Sequence, residues 1–264
     1  MSSNHILTDD GCRIAYRLEG PQDAPVLMLS NSLGTNMGMW APQVDAFVQN
    51  FRLLRYDSRG HGGSDSPAGG YSLDRLGRDA LAILDALELQ RVHFCGLSLG
   101  GMIGQWLAVR APERLERLVL ANTSAYMGPP DGWQARIEGV LAEGMTPLAE
   151  ASIARWFTPA FAAAQPLAVE PVRAMLLATD RQGYAGCCAA IRDMDQRPTA
   201  ALNRTPTLVI AGSEDPSTSV ADAKFLVDTA GDARLQVLSA AHLSNVEAAE
   251  DFNAAVSAFL STGR

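Results

Sequence analysis

The sequence predicts an α/β protein: a mostly parallel eight-stranded sheet, helices on both faces, and a helical lid inserted after the sixth strand. Short apolar runs typical of buried strands alternate with helical stretches along most of the chain. From about residue 126 to about residue 197 no buried β run occurs, and helical stretches broken by Pro and Gly take its place. We therefore expect a core of residues 1–125 and 198–264, and a helical cap of residues 126–197.

The first elements are a hairpin and two buried strands. Residues 5–20, HILTDDGCRIAYRLEG, contain two alternating runs around an Asp-Asp-Gly turn. Buried strands are expected over residues 25–32 and 51–58, with a helix over 41–50 between them. The next helix, over residues 73–89, is amphipathic, and Ser72 is its predicted N-cap.

The stretch FCGLSLGGM, residues 94–102, places Ser98 between Gly96 and Gly100. An apolar strand over residues 91–96 precedes Ser98, and a helix begins at Leu99 and is stopped by Pro112. A G-x-S-x-G sequence between a strand and a helix is typical of a nucleophile elbow, a strained turn that exposes a serine hydroxyl. We therefore predict that Ser98 is a nucleophile.

The elements beyond this helix continue the alternation. A strand is expected over residues 115–125, before the cap. After the cap, strands over 205–215 and 234–242 enclose a helix over 219–230. A single last helix is expected over 245–262.

A serine hydroxyl needs a base, and the base needs an orienting acid. With a nucleophile elbow the chain order is Ser, then Asp or Glu, then His. His242 follows the last strand in the loop AAHLSN and fits this order. The remaining histidines, which lie in other elements or loops, are His5, His61 and His93. We predict that His242 is the base.

The acid is expected after the strand that precedes the last one. The sequence LVIAGSEDPS offers Glu214 and Asp215 there. The G-x-x-D spacing favours Asp215, with Pro216 turning the chain away, and Glu214 is the alternative. The other possible position, after the sixth strand, holds Asn122 and no carboxylate.

Two loops flank the predicted nucleophile. Attack on a carbonyl creates an oxyanion that two backbone N–H groups must stabilise. The residue after the nucleophile supplies Leu99, and the loop SNSLGTN after the third strand supplies Leu33. In YDSRGHGGSD we expect Asp57 and Arg59 to form a structural ion pair that fixes the loop beneath the site.

Composition excludes several classes of partner. The formal net charge is −8 with a pI near 5.0, and no basic stripe exists, so nucleic acid is not expected. No apolar run is long enough for a membrane span, and no signal peptide is recognised, which favours a cytoplasmic protein. Four cysteines, Cys12, Cys95, Cys187 and Cys188, lack metal-ligand spacing, and the adjacent pair is expected as reduced thiols on a helix. Oligomeric state is not readable from these features.

Four segments together resemble the α/β-hydrolase superfamily across essentially the whole chain: YDSRGHGGS, GLSLGG, GSEDP and AAHLSNVE. Three further segments are similar to 3-oxoadipate enol-lactonases: LSNSLGTNMGMW (29–40), WFTPAF (156–161) and HLSNVE (242–247). Asn31 and Ser32 stand where most of the superfamily has His-Gly, as in the enol-lactonase group. The resemblance implies an α/β-hydrolase fold and opening of a small lactone with a carboxymethyl arm, in bacterial breakdown of aromatic compounds. It implies no metal and no organic cofactor.

Candidate substrate contacts lie beside the oxyanion loop and in the cap. Ser32, beside the oxyanion loop, and Trp133, at the start of the cap, are candidate substrate-binding residues, although Trp133 equally fits packing of the cap onto the core. A substrate carboxylate needs a donor or a positive charge. The cap offers five arginines: Arg136, Arg155, Arg173, Arg181 and Arg192.

Other activities would use the same fold. A general carboxylesterase, or a hydrolase of carbon–carbon bonds in ring-cleavage products, shares the triad and differs in the cap. A dehalogenase or an epoxide hydrolase would carry Asp at position 98 instead of Ser98. A hydrolase-fold receptor that binds a lactone and turns it over slowly is a non-enzymatic alternative.

Overall fold

The computed structural model describes residues 4–261. They contain the predicted eight-stranded sheet. The strands are β1 (Asn4–Leu7), β2 (Arg13–Glu19), β3 (Val26–Ser30), β4 (Arg52–Tyr56), β5 (Val92–Leu97), β6 (Leu115–Ala121), β7 (Thr207–Gly212) and β8 (Ala233–Leu238). Their order is β1-β2-β4-β3-β5-β6-β7-β8. Strand β2 is antiparallel to both of its neighbours, and every pair from β4 to β8 is parallel. The predicted fold class is confirmed. The ends of the predicted core, residues 1–3 and 262–264, lie outside the described residues.

The strand order reverses direction at β3. The chain moves from β3 to β4 on one side, then passes back across β3 to β5 and continues to β8. Because crossovers between parallel strands are right-handed, the reversal puts the connecting helices on opposite faces of the sheet. It also leaves a crevice at the carboxyl ends of β3 and β5, where open α/β sheets bind ligands.

Eleven α-helices lie within residues 4–261. They are α1 (Ala41–Phe47), α2 (Leu73–Ala86), α3 (Leu99–Arg110), α4 (Pro130–Glu143), α5 (Ala149–Trp156), α6 (Pro159–Ala164), α7 (Pro166–Ala178), α8 (Arg181–Asp193), α9 (Val220–Thr229), α10 (Ser244–Glu247) and α11 (Ala249–Ser261). Ser72 caps α2 as predicted, because its hydroxyl accepts a hydrogen bond from the Arg75 N–H at 3.1 Å. Over the same span of residues, none of the helices has the length and apolar character needed to cross a bilayer.

The core is centred on the middle strands. Every residue of β5 and of β7 is buried, as expected for parallel strands covered by helices on both faces. Strand β8 alternates partly buried with exposed residues over most of its length, because it forms one edge of the sheet. The burial of each strand therefore matches its position in the sheet: the middle strands are buried, and the edge strand is partly exposed.

Helices α4 to α8 occupy the interval between β6 and β7, where the cap was predicted. The two chain ends of this segment meet, because Gln196 N–H donates to the Ala125 carbonyl at 2.8 Å. Helix α8 is fixed to the core: Tyr71 N–H donates to the Gly186 carbonyl at 2.9 Å, and the Cys187 thiol contacts the Arg59 carbonyl oxygen. The segment from α4 to α8 therefore leaves and rejoins the rest of the chain at neighbouring points and is bonded to it through α8.

Several predicted elements are shorter than expected, and in two of them the backbone shows why. The strand predicted over residues 115–125 ends at Ala121, because Asn122 has φ 43° and leaves the extended conformation. The single helix predicted over 245–262 is two helices, α10 and α11, separated at Ala248 (φ −120°, ψ 51°). Its predicted end at residue 262 lies outside the described residues. In both places a loop-like backbone conformation interrupts a pattern that is locally regular.

The expected ion pair between Asp57 and Arg59 is wrong. The Asp57 carboxylate accepts hydrogen bonds from the backbone N–H groups of Met37 (2.6 Å) and Gly63 (2.8 Å). Arg59 instead forms a two-pronged ion pair with buried Asp79, at 2.5 and 2.7 Å. The two side chains leave the loop in different directions, but both have the predicted structural role of fixing it.

Replacing Asp79 tests how far this buried ion pair stabilises the fold. We expect Asp79→Asn to lower the free energy of unfolding by about 3 kcal/mol, because it removes the buried counter-charge of the Arg59 guanidinium and leaves only the more exposed Asp10. The matched control is Asp74→Asn in the same helix, since Asp74 pairs with Arg78 at the surface. That control should cost less than about 1 kcal/mol. Urea denaturation measures both, and equal losses would contradict the assignment.

Candidate active site

Ser98 lies at the sharp turn between β5 and α3. Its backbone has φ 55° and ψ −113°, a conformation that L-residues adopt only under constraint. The constraint comes from both sides, because Ser98 N–H donates to the Ala121 carbonyl (2.9 Å) and Ser98 C=O accepts from the Thr123 hydroxyl (2.8 Å). The sequence pattern for a nucleophile elbow therefore has the expected backbone geometry.

The glycines of the elbow are required by space. A Cβ on Gly96 would lie 2.1 Å from the Gly100 carbonyl oxygen, and a Cβ on Gly100 would lie 2.1 Å from the Ser30 carbonyl oxygen. This close approach lets Gly100 N–H donate to the Asn31 carbonyl at 3.0 Å. The start of α3 is thus fastened to the loop that follows β3.

His242 and Asp215 are in direct contact at the ends of neighbouring strands. His242 Nδ1 lies 2.8 Å from Asp215 Oδ2, and both side chains are buried. Asp215 follows β7, and His242 follows β8. The alternative acid, Glu214, is exposed, whereas its buried neighbour Asp215 is the carboxylate that meets the imidazole.

Hydrogen-bond donors surround the Asp215 carboxylate. Oδ1 accepts from the backbone N–H groups of Ser217 (2.8 Å) and Thr218 (3.1 Å), and Oδ2 also accepts from the Thr218 hydroxyl (2.7 Å). Burial raises the pKa of Asp215, but the His242 charge and these hydrogen bonds outweigh it and lower the pKa to about 2. Asp215 is therefore ionised at neutral pH and able to stabilise an imidazolium.

Asn122 also contacts Asp215. In the sequence, Asn122 was notable only because it occupies the other position at which an acid could have stood. Its Nδ2 donates to Asp215 Oδ2 at 3.0 Å and to the Ala241 carbonyl at 3.1 Å. Its Oδ1 accepts from the Ser244 hydroxyl at 2.5 Å. The signal was the position of Asn122 at the end of β6, the strand next to β7. Asn122 thus fixes both the acid and the loop that carries His242.

The backbone N–H groups of Leu33 and Leu99 are the predicted oxyanion donors. Among residues 4–261, neither amide donates a hydrogen bond to a protein acceptor. Leu99 is the first residue of α3, where backbone N–H groups have no partner within the helix. The Asn31 side chain holds the other loop, donating to the Tyr56 carbonyl (2.7 Å) and accepting from the Trp40 indole (2.8 Å). Two free donors therefore lie on two fixed segments.

His61, which the sequence excluded as the base, supports the same loop. Gly34 N–H donates to His61 Nε2 at 3.0 Å, and His61 Nδ1 lies 3.2 Å from the Arg59 carbonyl oxygen. The first contact requires a neutral ring with Nε2 free to accept. Complete burial lowers the pKa of His61 to about 4, so the ring is neutral at physiological pH. His61 thereby connects the Arg59 loop to the residue that follows Leu33.

The loop that carries His242 is also bonded to the cap. Leu243 N–H donates to the Trp156 carbonyl at 3.0 Å. The Glu247 carboxylate accepts from Ala241 N–H at 2.9 Å and from both the backbone N–H and the hydroxyl of Thr158. Glu247 lies in the HLSNVE segment, but its role depends on contacts that the sequence does not show.

A cavity of about 190 Å³ is lined by most of the predicted site residues, but not by Asp215 or Leu99. Its lining includes Ser98, His242 and Leu33, and also both candidate substrate-binding residues, Ser32 and Trp133. The Trp133 indole N–H donates to the Met127 carbonyl at 2.8 Å, so this side chain both walls the cavity and fastens the start of α4. The sequence did not identify several other lining residues: Met102, Met127, Ser152, Trp156, Tyr184, Ile191, Pro216 and Ser217.

Two of the five cap arginines reach this cavity. Arg136 and Arg155 line it. Of the others, Arg173 pairs with Glu150 and Glu170, Arg192 pairs with Asp193, and Arg181 bonds the Leu141 carbonyl. The structure thus separates the arginines that the sequence left equivalent.

The cysteines lie apart from this chemistry. All four are free and buried, and Cys187 and Cys188 lie in α8. Burial raises the pKa of the Cys95 and Cys187 thiols. In the part of the chain that the structure describes, no three His, Cys, Asp or Glu side chains are grouped to hold a metal ion.

Comparison with known proteins identifies the family. A family model described as the alpha/beta hydrolase fold matches residues 25–249. The chain belongs to this family. A serine elbow, a histidine–aspartate pair and a cap between β6 and β7 are therefore features of an α/β hydrolase.

Individual relatives match over nearly the full length. The chain is 44% identical over 254 residues to 3-oxoadipate enol-lactonase 2 of Acinetobacter baylyi, covering 96% of this chain and 95% of that protein. The enol-lactonase structure from Burkholderia xenovorans LB400 is 41% identical with a TM-score of 0.96, covering 98% of this chain and 100% of that one. A hydrolase structure from Pseudomonas aeruginosa PA01 is 51% identical with a TM-score of 0.96, covering 98% of both chains.

The buried His61 predicts a specific dependence of stability on pH. In the unfolded chain His61 takes up a proton near its ordinary pKa of 6.5, but in the fold only near pH 4. The unfolded state therefore binds more protons between these values, so this contribution to stability is full above pH 6.5 and is lost as pH falls towards 4. The loss should be on the order of 3 kcal/mol.

The test compares wild type with His61→Gln, whose amide can still accept from Gly34 N–H but does not titrate. Urea denaturation at pH 7, 5.5 and 4.5 gives the free energy of unfolding of each. We expect the wild-type curve to fall more steeply than that of the variant. Parallel curves would mean that His61 does not titrate in this window.

Proposed function

We propose that this protein hydrolyses 3-oxoadipate enol-lactone to 3-oxoadipate through a serine acyl-enzyme. The observation that carries the choice of substrate is the full-length similarity to an Acinetobacter protein named 3-oxoadipate enol-lactonase 2, together with that to a Burkholderia enol-lactonase. The cavity supports the reaction class, since it is lined both by a serine at an elbow, Ser98, and by a histidine bonded to aspartate, His242.

In the first half of the proposed reaction, Ser98 Oγ attacks the lactone carbonyl while His242 takes the hydroxyl proton. Ionised Asp215 holds the imidazole through Nδ1 and stabilises the imidazolium that forms. The oxyanion accepts from the N–H groups of Leu33 and Leu99. The ring then opens: the carbon–oxygen bond to the enol breaks, and His242 returns the proton to the leaving oxygen.

In the second half, the released enol becomes a ketone while the acyl group stays on Ser98. Water attacks the acyl-enzyme with His242 as the general base, and the same two amides stabilise the second oxyanion. Release of the carboxylate gives 3-oxoadipate and restores Ser98. His242 accepts and returns the transferred protons, and the two amides stabilise both oxyanions. These steps therefore use no metal or organic cofactor.

Ser32 and Trp133 are the proposed contacts for the body of the substrate. Ser32 follows β3 beside Leu33, and Trp133 belongs to α4 in the cap, so the ligand would lie between core and cap. The family resemblance also suggests the biological setting, which is bacterial breakdown of aromatic compounds.

The decisive assay compares initial rates on 3-oxoadipate enol-lactone and on p-nitrophenyl acetate for wild type and Ser98→Ala. We expect rapid opening of the lactone, slow ester cleavage, and a loss of at least about 10³-fold in the variant. Good ester cleavage without preference for the lactone would leave a general carboxylesterase. Slow turnover of both, with tight lactone binding, would favour a receptor.

The identity of the acid has its own test. We expect Asp215→Asn to lower kcat by about 10³- to 10⁴-fold, because an amide cannot stabilise the His242 imidazolium or hold its useful tautomer. Glu214→Gln is the matched control one residue away and should leave kcat near wild type, since Glu214 is exposed. Similar losses in both variants would contradict the assignment of Asp215.

A further inference from the structure

The cavity beside Ser98 contains positive charge that no protein carboxylate neutralises. Arg136 on α4 and Arg155 on α5 both line it and are both half-buried. Within residues 4–261, neither arginine forms an ion pair, and no Asp or Glu lines the cavity. The protein groups that hold these two arginines in place are therefore neutral.

The neutral groups orient the two guanidinium groups without cancelling their charge. The Arg136 guanidinium carbon lies 4.7 Å from the centre of the Trp133 ring, a stacking contact. Arg155 donates to the Ser152 hydroxyl at 3.2 Å. Stacking and a single hydroxyl contact leave further N–H donors on each guanidinium for a ligand.

The pKa of Arg155 agrees with a role in binding an anion. Burial lowers the pKa of Arg155, and the neighbouring charge of Arg136 lowers it further. Arg192 shows the reverse, because its hydrogen bond to Asp193 raises its pKa. A bound carboxylate would supply the missing counter-charge.

We propose that Arg136 and Arg155 form a subsite that binds the carboxylate of the substrate. This inference rests on the proposed function, which it deepens: it makes the enzyme selective for anionic lactones and esters over neutral ones. The guanidinium forks suit a planar carboxylate through paired N–H donors. The local positive charge also offsets the repulsion that a chain of net charge −8 exerts on an anionic substrate.

The first test measures specificity in Arg136→Gln, Arg155→Gln and the control Arg173→Gln. We expect each cavity variant to lower the ratio of kcat/KM for the enol-lactone to kcat/KM for p-nitrophenyl acetate by about 10- to 100-fold, because a charged hydrogen bond to the substrate is lost. The control should keep the wild-type ratio, since Arg173 pairs with Glu150 and Glu170 outside the cavity. Equal losses on both substrates would overturn the proposal.

A second test needs no turnover and separates this proposal from the proposed function. Calorimetry measures binding of adipate, a simple dicarboxylate, to Ser98→Ala alone and combined with each arginine substitution. We expect the dissociation constant to rise about 10-fold or more for Arg136→Gln and Arg155→Gln, and to recover in part with Arg155→Lys. Unchanged adipate binding in both cavity variants, or no binding in any, would refute the subsite. Weakened binding together with no lactone turnover in wild type would retain the subsite and refute the enol-lactonase assignment.

Discussion

The close contact between the start of α3 and the end of β3 is the constraint on which the site depends. Because residue 100 lacks a Cβ, its backbone reaches the Ser30 carbonyl and bonds the Asn31 carbonyl. That contact fixes the elbow of Ser98 beside the loop of Leu33 and brings two amides without protein partners to the same crevice. A side chain at position 100 would push α3 away from the sheet and separate the proposed nucleophile from one of its oxyanion donors.

Most of the buried polar groups around this contact have hydrogen-bond partners within the protein. Asp215 has five donors to its two oxygens, Asp57 has two backbone donors, and neutral His61 bridges the Arg59 carbonyl and Gly34 N–H. Buried polar groups are costly unless they are paired, so such saturation makes the loops of the site rigid. A few donors in residues 4–261 differ, because they have N–H groups without a protein acceptor. They are the amides of Leu33 and Leu99 and the guanidinium groups of Arg136 and Arg155. Of these residues, Leu33 and both arginines line the cavity.

The cap and the catalytic loop form one connected structure. Leu243 bonds the Trp156 carbonyl at the end of α5, and Glu247 bonds Thr158 at the start of α6. Arg155 lies next to Trp156 in the chain, so the proposed anion subsite and the proposed base share an anchoring point.

The sequence by itself determined the element types and the chain positions of the chemistry. Local periodicity marked the buried strands, and the glycines around Ser98 marked the elbow, because strand burial and a tight turn each leave a signal within a few residues. It did not determine which partner Arg59 takes, where Asn122 points, or which cap arginines reach the cavity. Asp79, Asp215 and Ser98 are far from those residues in the chain, and side-chain direction across such distances leaves no local pattern. Only the tertiary structure decided these contacts, since burial and hydrogen bonding between separate elements select one partner among chemically equivalent candidates.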